Sequence, residues 1–287
     1  MIIAVTGAKG YAGSQIAAYL ESQGDEVVEL VRNPDASSLR QQLKFELGTR
    51  IDPLEFRSRG IECLVHVAYD FRQIDWDQIR KINYEGSISL FDSFLEGGGK
   101  NCCYISTVAA WPGCKSMYGR VKLMTEEAAI KRNFWVIRPG LIRGGSQGGI
   151  VGTMLKLVRK FPAVPIIGYG LKCLYPIRTD ELSRIVSEFT RISYDDASKA
   201  IIVAAHRQAM SLDEVVREMI QEHHLKRRIL IPVPWRLAWL ILKSLEKLGI
   251  SIGLRSDSVI SLMNQDPNPP FCALTDSTLV EAYGGLS

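Results

Sequence analysis

Two hydrophobic periods alternate along the chain. Short apolar runs at residues 1–5 (MIIAV), 26–31 (EVVELV), 63–68 (CLVHVA), 103–106 and 134–137 (FWVI) have the length of buried parallel strands. Between them, apolar residues recur at helical spacing in 14–23, with Ile16, Ala17, Tyr19 and Leu20, and again in 79–95 and 118–131. Strand and helix taking turns in this way predict an α/β fold: a doubly wound parallel sheet with helices on both faces. From Gly140 onward glycine and proline thicken, and the helical pattern continues at 153–160, 180–191, 211–222 and 235–248. Residues 264–270 (NQDPNPP) read as an irregular strap. The division expected is a core over 1–140 and a small, mostly helical lobe over 141–287, with about 166–205 returning to the core.

The turn between the first strand and the first helix is glycine-rich: Thr6-Gly7-Ala8-Lys9-Gly10-Tyr11-Ala12-Gly13. A glycine turn that opens a helix lets backbone N–H groups and the helix N-terminus meet a pyrophosphate, which points to a dinucleotide and to a Rossmann-type fold. At the tip of the second strand, Val31-Arg32-Asn33-Pro34 carries an Arg where an NAD-selective site places an acid for the ribose 2′-hydroxyl. Arg32 is suited to the 2′-phosphate of NADP, so NADP is expected, with NAD as the alternative. The other reading of Arg32 is a solvated strand-end cation.

Composition narrows the partners. Hydrophobic residues make up 46% and charged residues 23%, the balance of a soluble globular chain, and a net charge of +4 makes no demand for nucleic acid. The first strand begins at Ile2, and no apolar run reaches the roughly 18 residues of a membrane span, so a cytoplasmic protein is expected. The cysteines, Cys272 among them, lack metal-site spacing and read as reduced thiols; no metal is expected.

Candidate chemistry lies in Tyr118-Gly119-Arg120-Val121-Lys122, which puts a phenol and an ammonium on one helix face. A cation there favours phenolate and would lower the tyrosine pKa, fitting it for acid–base work at a carbinol carbon. Ser106 and Thr107 end the preceding strand with hydroxyls able to hold a substrate oxygen.

These motifs, with His66-Val67-Ala68, Asn83, Val136-Ile137-Arg138-Pro139-Gly140 and the segment 176–182, occur in the order found in the extended short-chain dehydrogenase/reductases. The resemblance is to their NAD(P)-dependent epimerase/dehydratase branch, which acts mainly on nucleotide sugars, and it covers about residues 1–190. It implies that Gly7, Gly10, Tyr11 and Gly13 hold the pyrophosphate and that Ala68 lies near the cofactor ribose. It also implies that Lys122 binds the nicotinamide ribose and that Tyr118 moves the proton. Thr107 is implied as the catalytic hydroxyl, with Ser106 its neighbour. Pro139 would bring a backbone group near the carboxamide, and Asn83 would brace the strand backbone or a relay water. Arg138 reads as a surface or ion-pair residue, and His66 as a packing histidine close to the cofactor.

Three departures from the family pattern stand out. Only ten residues separate Thr107 from Tyr118, Trp111-Pro112 replace a Tyr-Gly, and Val108 and Ala109 occupy the positions where dehydratases carry acids. Dehydration is therefore disfavoured. Oxidation, reduction or epimerisation through a keto intermediate remains, on a small-molecule substrate such as a nucleotide sugar. The alternatives are a reductase of an apolar, steroid- or terpenoid-like ketone and a non-catalytic dinucleotide-binding protein. Homodimerisation through the helices at 79–95 and 118–131 is implied by the family.

One further segment, 223–248, sets His223, His224, Lys226, Arg227 and Arg228 before a Trp-rich amphipathic helix. It reads either as a surface for an anionic membrane or as a lobe helix packed on the substrate cleft with its cations solvated.

Overall fold

The structure, a computed structural model, describes residues 1–144, 148–192, 201–250 and 253–271. In chain order the core runs β1 (Ile2–Thr6), α1 (Tyr11–Ser22), β2 (Glu26–Val31), β3 (Gln41–Lys44), α2 (Pro53–Ser58) and β4 (Cys63–His66). It continues with α3 (Trp76–Ile79), α4 (Gly86–Glu96), β5 (Asn101–Ile105), α5 (Met117–Ile130) and β6 (Trp135–Pro139). Then come β7 (Leu141–Arg143), α6 (Gly149–Lys160), β8 (Ala163–Ile167), β9 (Pro176–Arg178), α7 (Thr179–Arg191) and β10 (Ile201–Ala204). The last elements are α8 (Leu212–Glu222), β11 (Ile229–Val233), α9 (Trp235–Lys247) and α10 (Ser256–Met263).

Seven parallel strands form the main sheet, in the order β10-β6-β5-β4-β1-β2-β3. The winding reverses between β1 and β4, so the carboxyl ends of these strands border the crevice where doubly wound folds take their ligands. Ile16 and Leu20 of α1 and Leu182, Ile185 and Phe189 of α7 fill one face of the sheet. Phe56, Phe91, Phe94 and Phe134 fill the other. The strands are buried on both sides, which is why they read as continuous apolar runs.

One departure from the sequence expectation has a physical cause. The helix expected over 79–95 is interrupted by a π-helical turn, Arg80–Glu85. Within it the Asn83 amide donates to the Ile79 carbonyl, four residues back, and the inserted side chain widens the turn. β8 pairs with β11 in the lobe, whereas β10 lies beside β6 in the main sheet. The lobe has its own small core, built on Val151, Leu155, Val158, Val164, Ile166 and Met219.

Candidate active site

The glycine turn after β1 is packed backbone against backbone. Gly7 has φ 67°, and a Cβ there would lie 3.1 Å from the Ala68 backbone. A Cβ on Gly13 would come within 2.2 Å of the Gly7 carbonyl oxygen, so α1 can start this close to β1 only with glycine at that position. No side chain caps α1, and no acid stands in its first turn. An uncapped helix N-terminus behind a glycine turn fits a dinucleotide pyrophosphate. The Tyr11 hydroxyl donates to the Gly144 carbonyl, so that side chain ties α1 to the segment following β7.

Beneath this turn a chain of hydrogen bonds fixes its own polarity. The backbone N–H groups of Val67 and Ala68 donate to Thr6 Oγ1, at 3.0 and 3.1 Å. Both lone pairs being used, the Thr6 hydroxyl must donate its proton to His66 Nδ1, at 2.8 Å. On the far side Ser87 donates to the Asn83 carbonyl, so His66 Nε2 carries the imidazole proton and donates to Ser87 Oγ at 2.8 Å. Burial, helped by the Lys122 ammonium, pushes His66 down to about 3. This histidine is thus a neutral, doubly hydrogen-bonded strut. Asn83 in turn grips the loop after β4 by accepting from Asp70 N (2.6 Å) and donating to Asp70 O (3.1 Å). Its amide braces the loop rather than facing a cofactor.

At the carboxyl end of β5 the two hydroxyls have different partners. The Ser106 hydroxyl is buried and donates to Glu126 Oε1. Thr107 is half-buried, its hydroxyl accepts from Ala109 N at 3.2 Å, and it stands near enough to the Tyr118 phenol to pull that group's pKa down against burial. Tyr118, Lys122 and Glu126 recur every four residues and form one stripe of α5. Lys122 is buried and donates to the Ile105 carbonyl at 2.7 Å, with its ammonium 4.7 Å from the centre of the Tyr104 ring. Burial draws its pKa down to about 7 against the attraction of Glu126. Glu126 receives both Nε and Nη2 of Arg138, a bidentate ion pair with each side chain under a tenth exposed. The Pro139 carbonyl accepts from Val108 N at 3.1 Å, which holds the end of β6 against the segment carrying Thr107.

Aromatic rings close over the phenol. The Tyr69 ring meets Tyr118 edge-on at 4.9 Å, and Phe71 stacks on it at 5.7 Å. The lobe clamps the same region from outside. The Asp257 carboxylate of α10 accepts from Met117 N (2.8 Å) and Tyr118 N (3.0 Å), which are the first N–H groups of α5. Arg255 donates to the carbonyls of Phe71 and Gln73, and Trp111 Nε1 to that of Asn264 at 2.9 Å.

With this geometry, comparison with known proteins is informative. Residues 3–134 match the model of the NAD dependent epimerase/dehydratase family. The match spans a little under half of the chain. A ceramide reductase of Caulobacter vibrioides is 24% identical over 173 residues, which make up 58% of this chain and 54% of that protein. The chain thus spans about half the length of this curated relative. Among solved structures, MoeE5 in complex with UDP-glucose and NAD superposes with a TM-score of 0.69 at 18% identity, covering 82% of this chain and 85% of that one. The Thermus thermophilus UDP-glucose 4-epimerase in complex with NAD gives 0.67 at 17%, covering 82% and 86%. The structure of gox2253 gives 0.68 at 19% and covers 100% of this chain and 93% of its own. At such identities these likenesses speak for the fold.

The structure brings together Gly7, Gly10, Gly13 and Ala68 at one turn, and Thr107, Tyr118 and Lys122 at the neighbouring strand end. Two expectations need correcting. Burial, the largest influence on Tyr118, pushes its pKa up to about 12, with Thr107 pulling the other way. The tip of β2 is also less free of acid than its sequence suggests. Arg32 is exposed and helps hold the Asp70 carboxyl low, although Arg72 is the larger cause. Lys9 Nζ donates to the Asn33 carbonyl at 3.0 Å, which adds a second cation at that tip. Glu126 and Asp257 were missed by the sequence reading. Glu126 is visible in hindsight, one turn beyond Lys122. Asp257 has no local signal.

Proposed function

We propose that this chain belongs to the epimerase/dehydratase family and is an NADP(H)-dependent reductase or epimerase acting at a carbinol or keto carbon of a nucleotide-activated sugar. The observation that carries the reading is the nearness of the Thr107 and Tyr118 hydroxyls at the carboxyl edge of the sheet, beside a glycine turn that fits a pyrophosphate. The nicotinamide cofactor, when bound, supplies the hydride donor or acceptor. Tyr118 moves the proton at the substrate oxygen, Thr107 orients that oxygen, and Lys122 binds the cofactor ribose. With its pKa near 12, Tyr118 stays protonated at neutral pH, which suits a proton donor to a forming alcohol and so favours reduction. Lys9 and Arg32 at the tip of β2 support NADP(H) over NAD(H). Dehydration lacks a free acid. Val108 and Ala109 stand where one is needed, and the buried Glu126 is taken up by Arg138 and Ser106.

A second reading, reduction of an apolar ketone, is favoured by the Tyr69 and Phe71 rings over the phenol and by the ceramide reductase relative. NADPH consumption measured with nucleoside-diphosphate keto-sugars and, separately, with long-chain ketones separates the two. Activity with neither class removes both, leaving a non-catalytic dinucleotide-binding protein. Cofactor that stays bound through turnover marks an epimerase.

A further inference from the structure

The outward face of α9 is apolar. Leu237, Ile241 and Leu248 fall on one stripe of the helix with Ser244, and their side chains are 50%, 50% and 72% exposed. Leu240, 56% exposed, lies on the adjoining stripe with Arg236, Lys243 and Lys247. The face turned to the protein carries Leu242, which is buried, and Glu246, whose carboxylate accepts from both the N–H and the hydroxyl of Ser256. A surface helix ordinarily turns its leucines inward. Here Leu237, Leu240 and Leu248 face out, and the acid faces in. The strand leading to the helix continues the pattern, with Ile229 and Ile231 69% and 47% exposed.

Charge gathers on the same segment. Between His223 and Ile250 stand Lys226, Arg227, Arg228, Arg236, Lys243 and Lys247, against Glu246 as the one acid. The whole chain carries only +4, so the rest of the molecule is close to neutral and its positive charge sits beside the exposed leucines. None of these cations is in an ion pair among the described residues. Arg228 donates to the backbone carbonyls of Val158 and Lys226, which leaves its charge uncompensated. No helix among the described residues is long and apolar enough to cross a bilayer.

We propose that α9 and its basic approach dock in the plane of an anionic phospholipid surface. Leu237, Leu240, Ile241 and Leu248 would enter the interface while Arg236, Lys243 and Lys247 meet the headgroup phosphates. A second copy of the chain is the less suited occupant, since self-pairing of this face would set like charges against each other.

The test is sedimentation of the full chain with phosphatidylglycerol-containing vesicles and with pure phosphatidylcholine vesicles, at low and raised salt. The docking surface requires binding to the anionic vesicles alone, weakened by salt. Lys243→Glu with Lys247→Glu, and separately Leu240→Glu with Ile241→Glu, should each weaken binding about tenfold or more. These exposed substitutions should leave the melting temperature unchanged. Failure to pellet, equal binding to neutral vesicles, or unchanged binding by the leucine pair overturns the proposal. So does a dimer in sedimentation velocity that the leucine pair dissociates, since that face would then be covered by a second copy.

Discussion

Asp257 and Tyr118 lie 139 residues apart in sequence, yet the Asp257 carboxylate accepts the backbone N–H of Tyr118 at 3.0 Å. The same carboxylate takes the Met117 N–H, so an acid from the lobe completes the capping that Ser116 begins at the start of α5. The helix bearing the proposed proton donor is therefore registered by the lobe. Asp257→Ala should cost about 1–2 kcal/mol of stability. It should lower kcat about tenfold or more through misplacement of the phenol, with cofactor affinity unchanged. Asp257→Asn, which keeps an oxygen acceptor, should recover part of the kcat. Equal thermal losses with no change in kcat would confine Asp257 to stability.

The Glu126–Arg138 pair makes a sharper stability prediction. Removing one member leaves a buried charge unpaired, so Glu126→Gln or Arg138→Met should each destabilise the fold by about 3–5 kcal/mol. Replacing both with apolar residues of similar size should cost much less. Chemical denaturation of the two single variants and the double variant reads this directly. Additive losses in the double variant would contradict a coupled pair.

His66 gives the fold an acid limit. A histidine held neutral at a pKa near 3, against about 6.5 unfolded, lets the unfolded chain take up the extra proton first. Its contribution is complete above pH 6.5 and declines as the pH falls towards 3, by on the order of 5 kcal/mol in all. His66→Gln should flatten the fall in melting temperature across that window. A wild-type curve parallel to that of the variant would contradict the neutral strut.

Much of this architecture is legible in the sequence because the physics that decides it is local. The core strands are apolar on both faces, and the glycine turn and the stripe of Tyr118 and Lys122 are set within a few residues. What escaped was decided by distant partners or by weak local preference. β3, QQLK, is an edge strand with only Leu43 buried, so no apolar run announces it. The π-helical turn follows from where the Asn83 amide bonds, and the capping acid Asp257 arrives from the far end of the chain. The pKa of Tyr118 was misread for a related reason. Spacing shows that Lys122 shares the helix face, but it does not show how deeply the phenol is buried, and burial is the largest influence on its pKa.

The proposed preference for NADP(H) rests on Lys9 and Arg32. Tryptophan-quenching titrations should find NADPH bound at least about tenfold tighter than NADH, about 1.4 kcal/mol, with the preference lost in Arg32→Ala. Tighter NADH binding would give the role to NAD and leave Arg32 as a solvated cation.

The most direct test of the account is the turnover of Tyr118→Phe, measured beside its NADPH affinity on the substrate class that supports wild-type cofactor consumption. The account predicts a fall in kcat of about 10²–10⁴-fold with cofactor binding intact, since only the proton at the substrate oxygen is lost. A variant that turns over at the wild-type rate would contradict it, and the catalytic role of the Thr107–Tyr118 pair would fall.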